Sequence, residues 1–203
     1  TAGVVAMVGV TMFWIGGARL WQFATVAVAA AAAVPVGWQF LHSYQKQRIF
    51  TFLNPESDPL GSGYHILQSK IALGSGGLFG KGFLEGTQTK YEFLPAAHTD
   101  FIFSVIGEEL GFVGTTVVLA LFIFIIVRAL QIAAMAKNRF YSLIAIGLAS
   151  MLTFHVFVNI GMTIGVMPVT GLPLPFLSYG GSSLMANLIA IGLLLHVYTN
   201  RHE

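Results

Sequence analysis

Two long stretches of this chain contain no Asp, Glu, Lys or Arg: the residues between Arg19 and Lys46, and residues 140–200. A segment that folds against water needs a charged or polar face, and a soluble globular domain spends roughly 25% of its residues on charge. Here only 9% of 203 residues are charged while 56% are hydrophobic. That balance excludes disordered, collagenous and disulfide-scaffold classes and argues against a soluble enzyme. The chain reads as an all-α, polytopic helical membrane protein. Its net charge of +2 is too small for a nucleic-acid surface, so no nucleic-acid partner is expected. With no cysteine there is neither a disulfide framework nor a Cys-based metal site.

A membrane-crossing helix needs about 20 mostly apolar residues. Five candidate spans follow: about Ala2–Ile15, Leu20–Leu41 (with Pro35 as a tolerable kink), Phe101–Val127, Ser142–Ile164 and Ser178–Val197. Thr1 opens directly into an apolar run, with neither an initiator Met nor a basic lead-in. We therefore expect a piece of a longer protein. The organisation reads as two spans in 1–41, a large structured loop in 42–100, and three spans in 101–203 with a Pro-rich broken segment at 165–178.

Lys and Arg in short loops set the orientation. Arg19, Arg128, Lys137, Arg139 and Arg201 all fall on one side of such a topology, which should be cytoplasmic. The 42–100 loop is then expected to face outward. Its aromatic and aliphatic residues run throughout, from Phe50 to Phe93, unlike a linker. Asn54-Pro55 and Asp58-Pro59 mark turns. Tyr64–Leu73 reads as a short amphipathic helix with Ile66, Leu67 and Ile71 on one side, able to lie in the membrane interface.

Several residues could carry chemistry. The run Gly74–Gly82 puts glycines beside Lys81, as a phosphate cradle would, but Gly80-Lys81 is followed by Gly82, so the Walker pattern fails. A bend between loop segments is the plainer reading. Asp100 enters the third span, where Thr99 or Asp100 could simply cap the helix. The alternative is a partly desolvated carboxylate at the membrane edge, suited to take a proton from a hydroxyl. Glu108 and Glu109 lie deeper in that span; intramembrane acids default to functional candidates, and a structural pair with His155 is the competing explanation. His155, Asn159 and Thr163 form a stripe at a spacing of four, more commonly used for interhelical hydrogen bonds. A lone His155 gives no metal site. Pro168, Pro173 and Pro175 cannot continue a helix, so the run before Ser182 should be a broken or re-entrant segment against a wet cavity near Asp100.

These motifs in combination closely resemble the SEDS family of RodA/FtsW-like proteins. The matching stretches are Gln47-Arg48-Ile49, Phe52–Gly63, Gln68–Gly82, Gly86-Thr87-Gln88, His98–Gly111 and Pro173–Ser183. The Gly-Lys-Gly and Gly-Thr-Gln stretches look more RodA-like than FtsW-like. Where the family often carries glutamate, this chain has Ala96.

The resemblance implies ten spans, of which five are visible here as a C-terminal half, in the bacterial cytoplasmic (inner) membrane. It implies a peptidoglycan glycosyltransferase that polymerises lipid II during cell elongation, with Asp100 as the essential acid of the His98-Thr99-Asp100 motif. Lys46, Arg48, Lys70 and Lys81 are candidate cations for the polyprenyl pyrophosphate leaving group, Arg48 foremost because its fork suits phosphate. His98, Thr99 and Ser182 are expected to contact substrate, with Glu108 and Glu109 as supporting acids. A divalent cation such as Mg is possible, though no dedicated ligand cluster appears. The implied partners are lipid II, the growing glycan strand, membrane lipid and a class B penicillin-binding protein. Two alternatives stay open: a lipid II flippase, supported by the broken segment and the two glutamates, and a scaffold for the transpeptidase.

Overall fold

The computed structural model describes residues 2–40, 42–53, 62–87 and 98–200. Every regular element among them is a helix: α1 (Ala2–Ile15), α2 (Leu20–Phe40), α3 (Ser43–Leu53), α4 (Ser62–Ser75), α5 (Ile102–Met135), α6 (Arg139–Thr163) and α7 (Gly181–Thr199). Among them, α5, α6 and α7 are long and apolar enough to cross a membrane, whereas the apolar stretches Gly3–Ile15 and Trp21–Pro35 are shorter. The protein is thus a helical integral membrane protein, with three helices of full span length among the described residues. The turns expected at Asn54-Pro55 and Asp58-Pro59 lie outside the described residues.

Helix α6 is the central post, packed against α1, α4, α5 and α7. At one end Ala129 and Ala133 of α5 meet Ala145 and Ala149 of α6, with Leu194 and Val197 of α7 closing the cluster. Such small residues let backbones approach where lipid supplies no hydrophobic drive between helices. At the other end Phe103 and Phe122 pack on Val156 and on Leu174 of the segment that follows α6. The outer face of α5 shows Phe112, Val117, Leu121 and Phe124, a surface that only lipid or protein would solvate.

Helix α5 is broken. Gly111 sits at φ 66°, ψ −161°, a conformation essentially restricted to glycine. The glycine-rich loop repairs the gap. Phe112 N–H donates to the Gly77 carbonyl (2.9 Å) and Val113 N–H to Leu78 (3.1 Å), while Lys81 and Gly82 N–H groups donate to the carbonyls of Glu108 (3.0 Å) and Glu109 (3.1 Å). A Cβ on Gly80 would overlap the Glu109 carbonyl, so the fit needs glycine. These amides are thereby engaged in the fold, and the Gly74–Gly82 run is a helix-break clamp rather than a simple bend. After the break, residues 112–135 alone reach about 36 Å, enough to cross a hydrocarbon core of about 30 Å. The third span expected from about Phe101 is found as Ile102–Met135, interrupted at Gly111, and Glu108 and Glu109 lie on its short arm 102–110, beside the loop.

Helix α4 splits the apolar side expected from its pattern. Ile66, Ser69 and Ala72 are buried, while Leu67 and Ile71 are exposed. Ser69 explains the choice. Its hydroxyl donates to the Thr163 carbonyl (2.7 Å), which obliges Ser104 to donate to Ser69 across their 2.6 Å contact. One small hydroxyl thus joins α4, α5 and α6. Helix α3, in what reads as loop, was not expected from sequence.

Candidate functional site

The His98-Thr99-Asp100 turn lies just before α5 and is held by its main chain. Residues 164–180 run without helix between α6 and α7 and pass alongside it. Tyr179 N–H donates to the His98 carbonyl (2.9 Å). Ser178 Oγ donates to Thr99 (2.6 Å) and itself accepts from Leu174 N–H (2.7 Å). Asn159, wholly buried on α6, donates through Nδ2 to Asp100 (2.9 Å) and to Leu172 (2.8 Å). Three successive carbonyls are therefore occupied by three donors from two parts of the chain.

The Asp100 carboxylate is half-buried and looks toward Gly171. A Cβ built on Gly171 would lie 3.5 Å from Asp100 Oδ2. Glycine is favoured there by its φ of +69°, while a Cβ alone would be in ordinary contact with the carboxylate. The capping expectation for Thr99 and Asp100 is not met. The N-cap position is Phe101, with no side-chain cap bond, because the turn is directed by residues 172–179 instead.

The other expected residues are dispersed. His98 and Ser182 are exposed, Ser182 in the first turn of α7, and Lys46 is half-buried on α3, the helix that also carries Arg48. Lys70 is exposed and drapes across Gly165, where a Cβ would overlap its side chain. Lys81 Nζ sits 2.7 Å from Glu108 Oε1 and 2.9 Å from Thr87 Oγ1, and Thr87 also reaches Glu108 (3.0 Å). The competing pair of Glu108 or Glu109 with His155 is corrected: among the described residues neither acid pairs with it, Glu108 takes Lys81, and His155 Nδ1 meets the Met151 carbonyl of its own helix at 2.9 Å. The stripe on α6 accordingly divides, since Asn159 serves the Asp100 turn and Thr163 bonds back to the Asn159 carbonyl (2.8 Å). Among the described residues no three His, Cys, Asp or Glu side chains gather to hold a metal. The structural parts that sequence reasoning missed are Ser178 and the destination of Asn159. Ser178 stood in plain view beside Tyr179, but nothing local says that its hydroxyl reaches residue 99.

The fold and this site together define a helical membrane protein with an acidic turn stapled to a proline-rich loop. The profile of the FtsW/RodA/SpoVE family, described as cell cycle protein, matches residues 1–203, and the chain belongs to that family. It is 52% identical over 203 residues to the peptidoglycan glycosyltransferase MrdB of Escherichia coli (strain K12), covering 99% of this chain and 55% of the relative. It is 46% identical over 197 residues to the peptidoglycan glycosyltransferase RodA of Treponema pallidum (strain Nichols), covering 95% of this chain and 45% of that protein. The chain thus spans about half the length of these curated relatives. Among solved structures it superposes on a chain of a peptidoglycan synthase complex described as coordinating polymerization and crosslinking. That match has a TM-score of 0.81 and 35% identity over 100% of this chain and 56% of the other. The rod shape determining protein RodA of Thermus thermophilus, solved as an aspartate-to-alanine mutant, aligns at TM-score 0.55 and 30% identity, covering 98% and 65% of the two chains.

Proposed function

We propose that this chain is part of a peptidoglycan glycosyltransferase that polymerises lipid II at the outer face of the bacterial inner membrane during elongation. The observation that carries the reading is Asp100: its backbone is clamped at three successive carbonyls while its carboxylate faces a residue without a side chain. A general base has to be fixed while leaving room for the group it deprotonates. Family membership and the naming of MrdB and RodA as peptidoglycan glycosyltransferases supply the reaction class.

In this mechanism the 4-hydroxyl of the acceptor sugar approaches Asp100. As its oxygen bonds to the anomeric carbon of the lipid-linked donor, the hydroxyl proton passes to the Asp100 carboxylate. The bond from that carbon to the pyrophosphate oxygen breaks, and the electron pair leaves with polyprenyl pyrophosphate. Arg48, Lys46 and Lys70 would meet the developing negative charge. Lys81 would contribute less, because Glu108 partly neutralises it. His98, Thr99 and Ser182 would line the sugar path. The synthase-complex likeness favours a class B penicillin-binding protein as the partner that crosslinks the product.

The test is lipid II polymerisation by the intact parent protein with its transpeptidase. Asp100→Asn should lower the rate by at least about 10²-fold, the lower end of general-base contributions. Glycan synthesis at the wild-type rate would remove Asp100 from the chemistry.

A further inference from the structure

We propose that Asn159 and Ser178 are positioning residues that fix the Asp100 turn against the segment carrying Gly171, and so hold the carboxylate where the acceptor hydroxyl must meet it. This inference rests on Asp100 being the base. The Asn159 amide has two protons, and both are committed: one to the carbonyl of residue 100 and one to that of residue 172. Residue 172 adjoins Gly171, the position facing the Asp100 carboxylate. A single side chain therefore ties the turn carrying Asp100 to the segment carrying Gly171. Ser178 repeats the arrangement one residue away, binding Thr99 with its proton and Leu174 N–H with its lone pair.

The placement costs stability. Asn159 is fully buried within a membrane-length helix, and its Oδ1 has no hydrogen-bond partner among the described residues. An unmade hydrogen bond in such surroundings is unfavourable. A leucine there would escape that penalty but could not tie residue 100 to residue 172. The geometry gives the amide a purpose that packing does not.

The test uses the full-length protein with its transpeptidase and purified lipid II, measuring kcat and KM separately. Neither side chain is assigned to touch substrate, so misplacing the base should lower kcat while leaving substrate affinity alone. Asn159→Leu and Ser178→Ala are each expected to lower kcat at least tenfold with KM changed less than twofold. Ser178→Thr, which keeps the hydroxyl, should recover most of the rate. Should Asn159→Leu fail to fold, the Ser178 pair decides alone. Wild-type kcat in Ser178→Ala, or a rise in KM at constant kcat, overturns the inference, as does equal loss in Ser178→Ala and Ser178→Thr. Asp100→Asn runs beside them. If it is inactive while the positioning variants are normal, only the positioning role fails; if it is active, the base assignment falls and this inference with it.

Discussion

Lys81 Nζ lies 2.7 Å from Glu108 Oε1, with the glutamate side chain fully buried and the lysine 29% exposed. The pair holds the glycine-rich loop to the short arm of α5, and Thr87 joins both partners. Replacing Lys81 by Met would leave a buried carboxylate without its cation. Removing one partner of a fully buried pair costs about 3–5 kcal/mol; with Lys81 partly wet, about 2 kcal/mol is expected. Thermal unfolding in detergent should show the loss, and Lys81→Met with Glu108→Gln should regain part of it. Equal stability of Lys81→Met and the native protein would contradict the pairing.

Gly111→Ala should be more damaging than its size suggests. Its φ of 66° is strained for any side chain, and the added Cβ would meet Gly80 N and the Leu78 carbonyl. Strain of this kind costs roughly 1–3 kcal/mol, before the lost loop bonds are counted. Gly192→Ala is the control, because nothing lies within 4 Å of that site on α7. It should be neutral or gain up to about 1 kcal/mol. Melting temperatures of the two variants check the contrast.

Gly171→Val should act on catalysis. The branches of the side chain would extend beyond a Cβ that already lies 3.5 Å from Asp100 Oδ2, so the carboxylate would have to shift. A displacement of about 1 Å in a reacting group can cost about 10²-fold, and a loss of that order in lipid II polymerisation is expected. The positive φ of Gly171 makes valine strained as well, so activity is compared per folded molecule, with Gly111→Ala as the variant that carries backbone strain away from Asp100.

Comparing Asp100→Asn with Glu109→Gln separates chemistry from transport. A flippase would depend on its acids along the crossing path, and the Glu109 variant would then be the worse of the two. We expect the reverse: glycan synthesis should be lost in Asp100→Asn and largely kept in Glu109→Gln. The Gly111 break leaves Glu109 at the end of a short arm, its carbonyl bound by Gly82.

The long helices were legible because charge-free runs leave few alternatives. Their ends were not. The third span was expected to stop before Arg128, yet α5 continues to Met135, since an arginine can bury its stem along apolar surface while its head seeks water. Gly111 gave no local warning, because apolar residues flank it on both sides and an isolated glycine within a helix is ambiguous. Helix α3 is short and polar on average, which makes it read as loop, and its Thr51 is buried only through tertiary packing. Asp100 emerged from its motif and Asn159 from its spacing. The bond between them spans 59 residues and depends on how residues 164–180 fold back, which no periodicity encodes. The partnership of Lys81 and Glu108, 27 residues apart, was hidden for the same reason.

The interrupted helix also has a bearing on the order of assembly. The 112–135 arm closes its own backbone bonds and is apolar enough to settle in a bilayer by itself. The 102–110 arm ends in carbonyls that Lys81 and Gly82 satisfy, so its completion waits for a stretch of chain made earlier to return from outside the helix. The 98–100 turn precedes that arm directly, so the closure that completes the arm also anchors the turn's C-terminal side.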